Sequence, residues 1–258
     1  MESRDSQSVW TNDKPDPTVF IEGDFDFAIA PGFDRAASAM LSKHQSLVVD
    51  LSQTSFIDSS GVAALLSAHR LASEHGKTWE LRGACDFVRK SLQISGFAGL
   101  FGIEPFALVD VSGKPIAEEI PTRTDWRISE AVVVGRPLLV AELRQTAVEA
   151  AVEAGLLPRD VHDVKLAVGE ALVNAMRHGA RPGRDRIRLR CLACSCAFIV
   201  EVIDQGTGFD PKEVAARTVT IPQEGGLGIH LMRSTMDEVE FSVDDRGGKV
   251  RMLKWIRS

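Results

Sequence analysis

Three short segments in the last third of the chain constrain its fold more than any other feature. In residues 170–179, Glu170, Asn174 and His178 recur every four residues, and two glycine-rich segments follow at 204–209 and 225–229. Glycine pairs alone mark ordinary turns. In this order, however, the three segments together predict one binding site.

The residues between Pro158 and Gly179 predict an amphipathic helix. Apolar residues recur at helical spacing, Pro158 suits the first turn, and Gly179 suits the C-terminal cap. Glu170 and Asn174 then lie on one face. A carboxylate and an amide oxygen one turn apart can share a magnesium ion and a water or hydroxyl. The alternative interpretation is a solvated helix face that carries Glu and Asn incidentally.

Residues 198–203 alternate and are rich in β-branched side chains, so they predict a strand that runs into Asp204. A carboxylate at a strand end, followed by Gly206 and Gly208, can accept a hydrogen bond from an exocyclic amine while the backbone closes on the ring. An ordinary turn with a polar corner is the alternative interpretation.

A second glycine-rich segment opens the apolar stretch 227–232. Its glycines are Gly225, Gly226 and Gly228. Backbone amides at a glycine-rich helix start can cradle a phosphate.

Taken together, these residues resemble the GHKL-type ATP-binding fold shared by gyrases, mismatch-repair ATPases, histidine kinases and anti-sigma-factor serine kinases. The resemblance implies ATP and Mg²⁺ as cofactors, Glu170 as the base or water-positioning residue, and Asn174 as the magnesium ligand. It implies that Asp204 recognises adenine and that residues 210–224 form a short mobile lid. The ATP-binding set implied is Asn174, Asp204, Gly206, Gly208, Gly225, Gly226 and Gly228.

Within that fold the chain looks most like the anti-sigma-factor serine kinases. The lid is compact, a predicted helix over 136–154 precedes the helix that carries Glu170, and the sequence ends at Ser258. Arg144 sits where those kinases carry an arginine on their partner-binding helix, so we expect it to bind a partner.

The first part of the chain resembles a STAS domain, the fold of anti-sigma-factor antagonists. Residues 47–51, of which four are apolar, predict a buried strand, and Asp58 and Ser59 suit the cap of a helix that begins near Gly61. The resemblance covers residues 18–111 and implies that Ser59 is the phosphorylated serine. A helix dipole favours a phosphate at this position, whereas Asp58 would repel it. The alternative is that Ser59 serves only as a helix cap.

Length and composition agree with two soluble domains. At 258 residues and 44% hydrophobic content the chain can build two cores of roughly 110 to 130 residues each. We expect a disordered N-terminus at 1–17, a STAS domain at 18–111, a linker at 112–126 and a GHKL-type kinase domain at 127–258. Extended chain over 111–126 reaches at most about 50 Å, which allows Ser59 to reach its own kinase site or that of another copy.

Several classes of function are disfavoured. The sequence has no apolar signal core and no run of the ~20 apolar residues that a membrane span needs, so we expect a cytoplasmic protein with no membrane partner. The net charge is −6, and the arginine-rich segment 181–190 lacks interleaved aromatic residues, which argues against nucleic acid. Arg186, Arg188 and Arg190 share one strand face, either solvated or facing an acidic partner. Cys191, Cys194 and Cys196 fit a strand and its hairpin turn better than a zinc site.

The sequence therefore predicts an α/β protein: an N-terminal STAS domain with a mixed sheet, followed by a GHKL α/β sandwich. We expect a partner-switching regulator that uses ATP and Mg²⁺ to phosphorylate a STAS-domain serine. That serine is either Ser59, in cis or in trans, or one on a separate antagonist. Expected partners are a STAS-domain or sigma-factor-like protein, an opposing serine phosphatase and a second copy in a homodimer. Two alternatives stay open: an ATP- or ADP-binding module without phosphotransfer, and a scaffold whose fused antagonist domain blocks its own kinase face.

Overall fold

The computed structural model describes residues 3–5, 8–12, 16–104, 126–134, 138–178, 186–206, 226–244 and 247–257. The chain divides into two compact units, Met1–Leu108 and Val109–Ser258, and each unit has its own five-stranded sheet. The predicted linker at 112–126 lies outside the described residues except for Trp126, so the predicted boundaries stay predictions.

The first unit is a mixed sheet with three α-helices. Its strand order is β1-β2-β3-β4-β5; β1, β2 and β3 pair antiparallel, and β3, β4 and β5 pair parallel. Parallel neighbours need helical crossovers, and α1 and α2 supply them. The elements are β1 (Ser3–Asp5), β2 (Val9–Asn12), β3 (Thr18–Phe25), α1 (Ala30–Lys43), β4 (Ser46–Ile57), α2 (Ser59–Glu74), β5 (Thr78–Arg82), α3 (Asp86–Ile94) and a 3₁₀ turn (Gly99–Phe101).

The N-terminal segment differs from the prediction of a disordered tail over 1–17. It contains β1 and β2, and β2 pairs antiparallel with β3. Val9 is buried, and the Trp10 ring stacks on Phe20 with centroids 3.7 Å apart and planes 5° apart. The β-forming residues at 9–11 therefore have a cross-strand partner, which a composition argument does not see.

The second unit is an antiparallel sheet covered on one face by helices. Its strand order is β6-β7-β8-β10-β9. The elements are β6 (Arg127–Val134), α4 (Leu138–Glu153), α5 (Pro158–His178), β7 (Arg186–Ala193), β8 (Ala197–Ile203), α6 (Leu227–Thr235), β9 (Glu238–Asp244) and β10 (Gly247–Trp255). The helix predicted to begin at Pro158 and the strand predicted over 198–203 are both present, and the predicted cap at Gly179 lies outside the described residues.

Helix α5 occupies the centre of this unit. It packs against α4, α6 and three strands of the sheet. As a consequence every residue from 166 to 173 is buried, not only those on the apolar face. The periodicity predicted the helix correctly but not the burial of its polar positions, which comes from the two flanking helices.

The opposite face of this sheet carries a charged row. Glu130, Arg190, Glu201, Arg251 and Glu240 face one another across five successive strands. The Arg190 Nη1–Glu201 Oε2 distance is 3.1 Å, and Arg190 Nε lies 3.4 Å from Glu130 Oε2. The predicted arginine face is thus outward and is paired within the sheet itself.

The cysteines of the second unit lie at the β7–β8 hairpin, as predicted. Cys191, Cys194 and Cys196 are all buried and unbridged, and burial raises the pKa of the Cys191 thiol to about 11. Among the described residues, no cluster of three or more His, Cys, Asp or Glu is arranged to hold a metal ion. Within the same residues, no helix has both the length and the apolarity to cross a membrane.

Candidate active site

The central feature of the second unit is the contact between Glu170 and the first turn of α6. Glu170 projects from the buried middle of α5 and is only 1% exposed. A Cβ placed on Gly228 would lie 3.3 Å from Glu170 Cδ and would collide with Glu170 Oε2. Glycine therefore lets the start of α6 approach the carboxylate, and Gly226, with φ of +137°, forms the helix N-cap.

Asn174 follows Glu170 by one helical turn and is half-buried. The i, i+4 spacing puts both side chains on one face of α5, with the carboxylate deeper and the amide closer to solvent. At 1% exposure, Glu170 does not belong to a solvated helix face, so that alternative interpretation is wrong for this residue. The pair offers two oxygen donors of the kind that Mg²⁺ prefers.

Asp204 lies immediately after β8 and is held by backbone amides. Its Oδ1 accepts hydrogen bonds from the N–H groups of Gly206, at 2.7 Å, and Gly248, at 3.4 Å. The Asp204 N–H donates to the Gly248 carbonyl at 2.9 Å. These contacts orient the carboxylate at the strand end, as recognition of an exocyclic amine would require.

Two glycines in this arrangement were not predicted from the sequence. Gly247 has φ of +147°, and a Cβ there would run into the Asp204 carbonyl oxygen. A Cβ on Gly248 would lie 2.9 Å from Asp204 Oδ2. The signal in the sequence that could have found them is the pair of consecutive glycines at 247–248.

Other predicted ATP-site residues are not placed here. Gly208, Gly225 and the lid at 210–224 lie outside the described residues, so their roles stay predictions.

Arg144 on α4 is 2% exposed. Direct contact with a partner would require the surface around Arg144 to move, and its partner-binding role also stays a prediction.

The candidate phosphorylation site lies at the start of α2 in the first unit. The helix begins at Ser59 rather than near Gly61, and Asp58 is its N-cap. Asp58 Oδ1 accepts from the N–H groups of Ser60, at 2.8 Å, and Gly61, at 3.0 Å, while Oδ2 accepts from Phe27 N–H at 3.2 Å. Asp58 is the residue the sequence predicted as a cap, and it also holds the loop after β3.

The two neighbouring serines differ in exposure. Ser60 is only 7% exposed, whereas Ser59 is half-buried. Asp58 is 1% exposed and directs its oxygens at backbone amides. Of the two hydroxyl-bearing residues, Ser59 is therefore the more accessible to another protein.

Two protein families match the chain, one over each unit. A family described as "Histidine kinase-like ATPase domain" matches residues 133–254. A family described as "Mlab, STAS domain" matches residues 11–109. The two family matches thus define the chain as a fusion of a STAS domain with a histidine-kinase-like ATPase domain.

Relatives at 30% identity or more identify the family of the chain. The Serine-protein kinase RsbW of Bacillus pumilus (strain SAFR-032) is 33% identical over 138 residues, which is 49% of this chain and 85% of the relative. The Anti-sigma F factor of Thermoanaerobacter sp. (strain X514) is 35% identical over 104 residues, 38% of this chain and 73% of the relative. The chain belongs to the family of anti-sigma-factor serine kinases.

One solved structure is similar to part of the chain. An anti-sigma factor antagonist from Mycobacterium paratuberculosis aligns with 42% of this chain and 92% of its own, at 23% identity and a TM-score of 0.33. The match of residues 11–109 to the STAS family assigns the first unit.

Proposed function

We propose that this protein is a partner-switching regulator whose second unit transfers the γ-phosphate of ATP to a serine on a STAS domain. The observation that carries the proposal is the buried Glu170 carboxylate, held against the first turn of α6 one helical turn from Asn174. Family membership supplies the reaction class, since relatives are named serine-protein kinases.

Glu170 would act on the nucleophile. In a water-poor site a carboxylate can orient a serine hydroxyl and accept its proton as the oxygen attacks phosphorus. The new Ser Oγ–Pγ bond forms in line as the bond from Pγ to the β,γ-bridging oxygen breaks, and ADP leaves. The backbone amides at the start of α6 would stabilise the charge on the transferred phosphoryl group.

Asn174 and Asp204 would hold the nucleotide. Asn174 offers its amide oxygen to Mg²⁺, which when bound neutralises phosphate charge. Asp204 would accept from the adenine amine, because backbone amides already fix its orientation. Because residue 248 is glycine, no side chain beside this carboxylate would block the approach of the adenine ring.

Ser59 would be the acceptor, in the same chain or in another copy, because it is more exposed than Ser60. A phosphate there adds nearly two negative charges to the surface at the start of α2. The amides of Ser60 and Gly61 already donate to Asp58, so they are engaged when a phosphate arrives. The added charge would change the surface that a sigma-factor-like or STAS-domain partner contacts. An opposing serine phosphatase and homodimerisation complete the proposed cycle.

Incubation with labelled ATP and Mg²⁺, followed by mass-spectrometric mapping, tests the proposal. We expect label on Ser59, its loss in Ser59→Ala, and its retention in the matched control Ser60→Ala. Glu170→Gln should keep nucleotide binding and lower transfer by at least about 100-fold, the scale of a lost general base. Tight nucleotide binding without transfer to this chain or to separate STAS proteins would instead establish a binding module. Activity that appears only after the two halves are separated would establish the self-blocking scaffold.

A further inference from the structure

A buried lysine of the second unit, far from Glu170 in the sequence, links β10 to α5 and α6. Lys254, on β10, is 4% exposed. Its Nζ lies 3.1 Å from Asp163 Oδ2 and 3.7 Å from Asp160 Oδ1, both in the first turns of α5. The same Nζ donates to the carbonyl oxygen of Thr235, the last residue of α6, at 2.6 Å.

This lysine caps a helix as well as pairing with carboxylates. The last carbonyls of a helix have no intrahelical partner and carry its negative dipole end, so a cation there is favourable. Asp237, just beyond α6, adds a second tie to the same strand: its Oδ2 accepts from Trp255 N–H at 2.8 Å. The C-terminal end of α6 is thus attached to β10 by two side chains.

The other end of α6 is the part that contacts Glu170. Helix α6 has nine residues and so is about 14 Å long, at ~1.5 Å per residue. A helix this short moves as a rigid rod, so the anchor at Thr235 also determines where Gly228 lies. Lys254 ties that anchor to Asp163 on α5, the helix that carries Glu170 and Asn174.

Stability alone is a poor explanation for this cluster. Removing a lysine and two aspartates from water costs much of what their attraction returns, and apolar replacements are often as stable. A buried pair does, however, restrict the elements that carry it to the arrangement in which both charges are satisfied.

We propose that Lys254 is a positioning residue for the nucleotide site. It acts through α6, because it fixes the position of the Gly228 backbone relative to the Glu170 carboxylate. This inference rests on the proposed function in so far as the start of α6 binds ATP phosphates.

The test variant is Lys254→Met combined with Asp163→Asn. It removes both members of the closest pair, so neither charge is left buried alone, and Asp160 retains Arg159 at 3.9 Å. The matched control is Phe198→Leu. Phe198 is fully buried and lies directly opposite Lys254 in the β8–β10 register, so the control disturbs the same part of the core without touching the charges.

Two readouts separate positioning from loss of structure. In the full chain, well below the unfolding transition of every variant, we expect the double variant to raise the KM for ATP about tenfold. Its kcat should stay within about threefold, because Glu170 and Asn174 remain on α5. Hydrogen exchange without nucleotide should accelerate about tenfold in α6 and not in β8. Phe198→Leu should leave KM and α6 exchange within about twofold of wild type.

A lower kcat with unchanged KM would overturn the inference, since that is the signature of a reduced folded fraction. Unchanged α6 exchange, or an equal effect of Phe198→Leu, would overturn it as well. If the wild-type chain neither binds ATP nor transfers phosphate, the proposed function fails. Hydrogen exchange then tests the role of Lys254 by itself. Selective loss of protection in α6 supports the anchoring of α6 by Lys254, and unchanged protection overturns it.

Discussion

The backbone of Gly228 and the carboxylate of Glu170 share a space that has no room for one more methyl group. Elsewhere, the Asp58 carboxylate satisfies three backbone amides at the junction of β3, α1 and α2. At the scale of single residues, each site therefore depends on one buried carboxylate and on the backbone that surrounds it.

Gly228→Ala should weaken ATP binding. The added Cβ collides with Glu170, so either the carboxylate or the start of α6 must shift. We expect at least about a tenfold loss of affinity, or ~1.4 kcal/mol, by isothermal titration calorimetry. Gly99→Ala is the control, because nothing lies within 4 Å of a Cβ built at Gly99. Equal affinities for the two variants would contradict the close contact.

Asp58→Ala should destabilise the first unit by about 2 to 3 kcal/mol. The change removes a helix cap, worth about 1 kcal/mol, and removes the Asp58 Oδ2 acceptor of the half-buried Phe27 N–H. Denaturant unfolding followed by tryptophan fluorescence measures the loss. Glu80→Ala, at an exposed position on β5, should stay within about 0.5 kcal/mol of wild type. A similar loss for both variants would show that Asp58 has no special role.

At the scale of elements, the charged row on the second sheet shows how burial changes the contribution of an ion pair to stability. Glu201 occupies its centre and faces both Arg190 and Arg251, and its side chain is 11% exposed. Glu240, at the end of the row, has a side chain 67% exposed and lies 3.7 Å from Arg251. Exposed pairs contribute little, whereas loss of a partly buried partner leaves arginines poorly satisfied.

Glu201→Gln should therefore lower the free energy of unfolding by about 1 to 2 kcal/mol. Glu240→Gln, the matched substitution on the same face, should change it by less than about 0.5 kcal/mol. Thermal unfolding in low and moderate salt measures both. The interpretation fails if Glu240→Gln is the more damaging change.

At the scale of the whole molecule, the chain joins a serine-kinase unit to a STAS unit, the class of domain that we propose as the substrate. Each unit has its own sheet and core, so the start of α2 forms part of the surface of a self-contained unit. The proposed function allows transfer to Ser59 either within one chain or from the kinase unit of another copy.

Mixing Glu170→Gln with Ser59→Ala tests whether transfer occurs between chains. The first chain keeps the proposed acceptor and lacks the proposed base, and the second keeps the proposed base and lacks the proposed acceptor. We expect label on Ser59 of the Glu170→Gln chain at a rate that rises with the concentration of the Ser59→Ala chain. Label in the wild-type chain but none in the mixture would establish transfer within one chain only.

Local chemistry determined much of this protein from the sequence alone. Helical spacing placed Glu170 and Asn174 on one face, strand alternation ended at Asp204, and the capping preference of Asp58 located the start of α2 to within two residues. These signals are readable because they depend on neighbours a few residues apart.

Tertiary structure alone decided the contacts between distant segments. It buried Glu170 by packing α4 and α6 around α5, brought Gly248 to Asp204, and paired Trp10 with Phe20 in a segment that looked disordered. It also joined Lys254 to Asp163, ninety-one residues earlier in the chain. No local pattern carries such information, because side chains far apart in sequence meet only when the sheet register and helix packing are set.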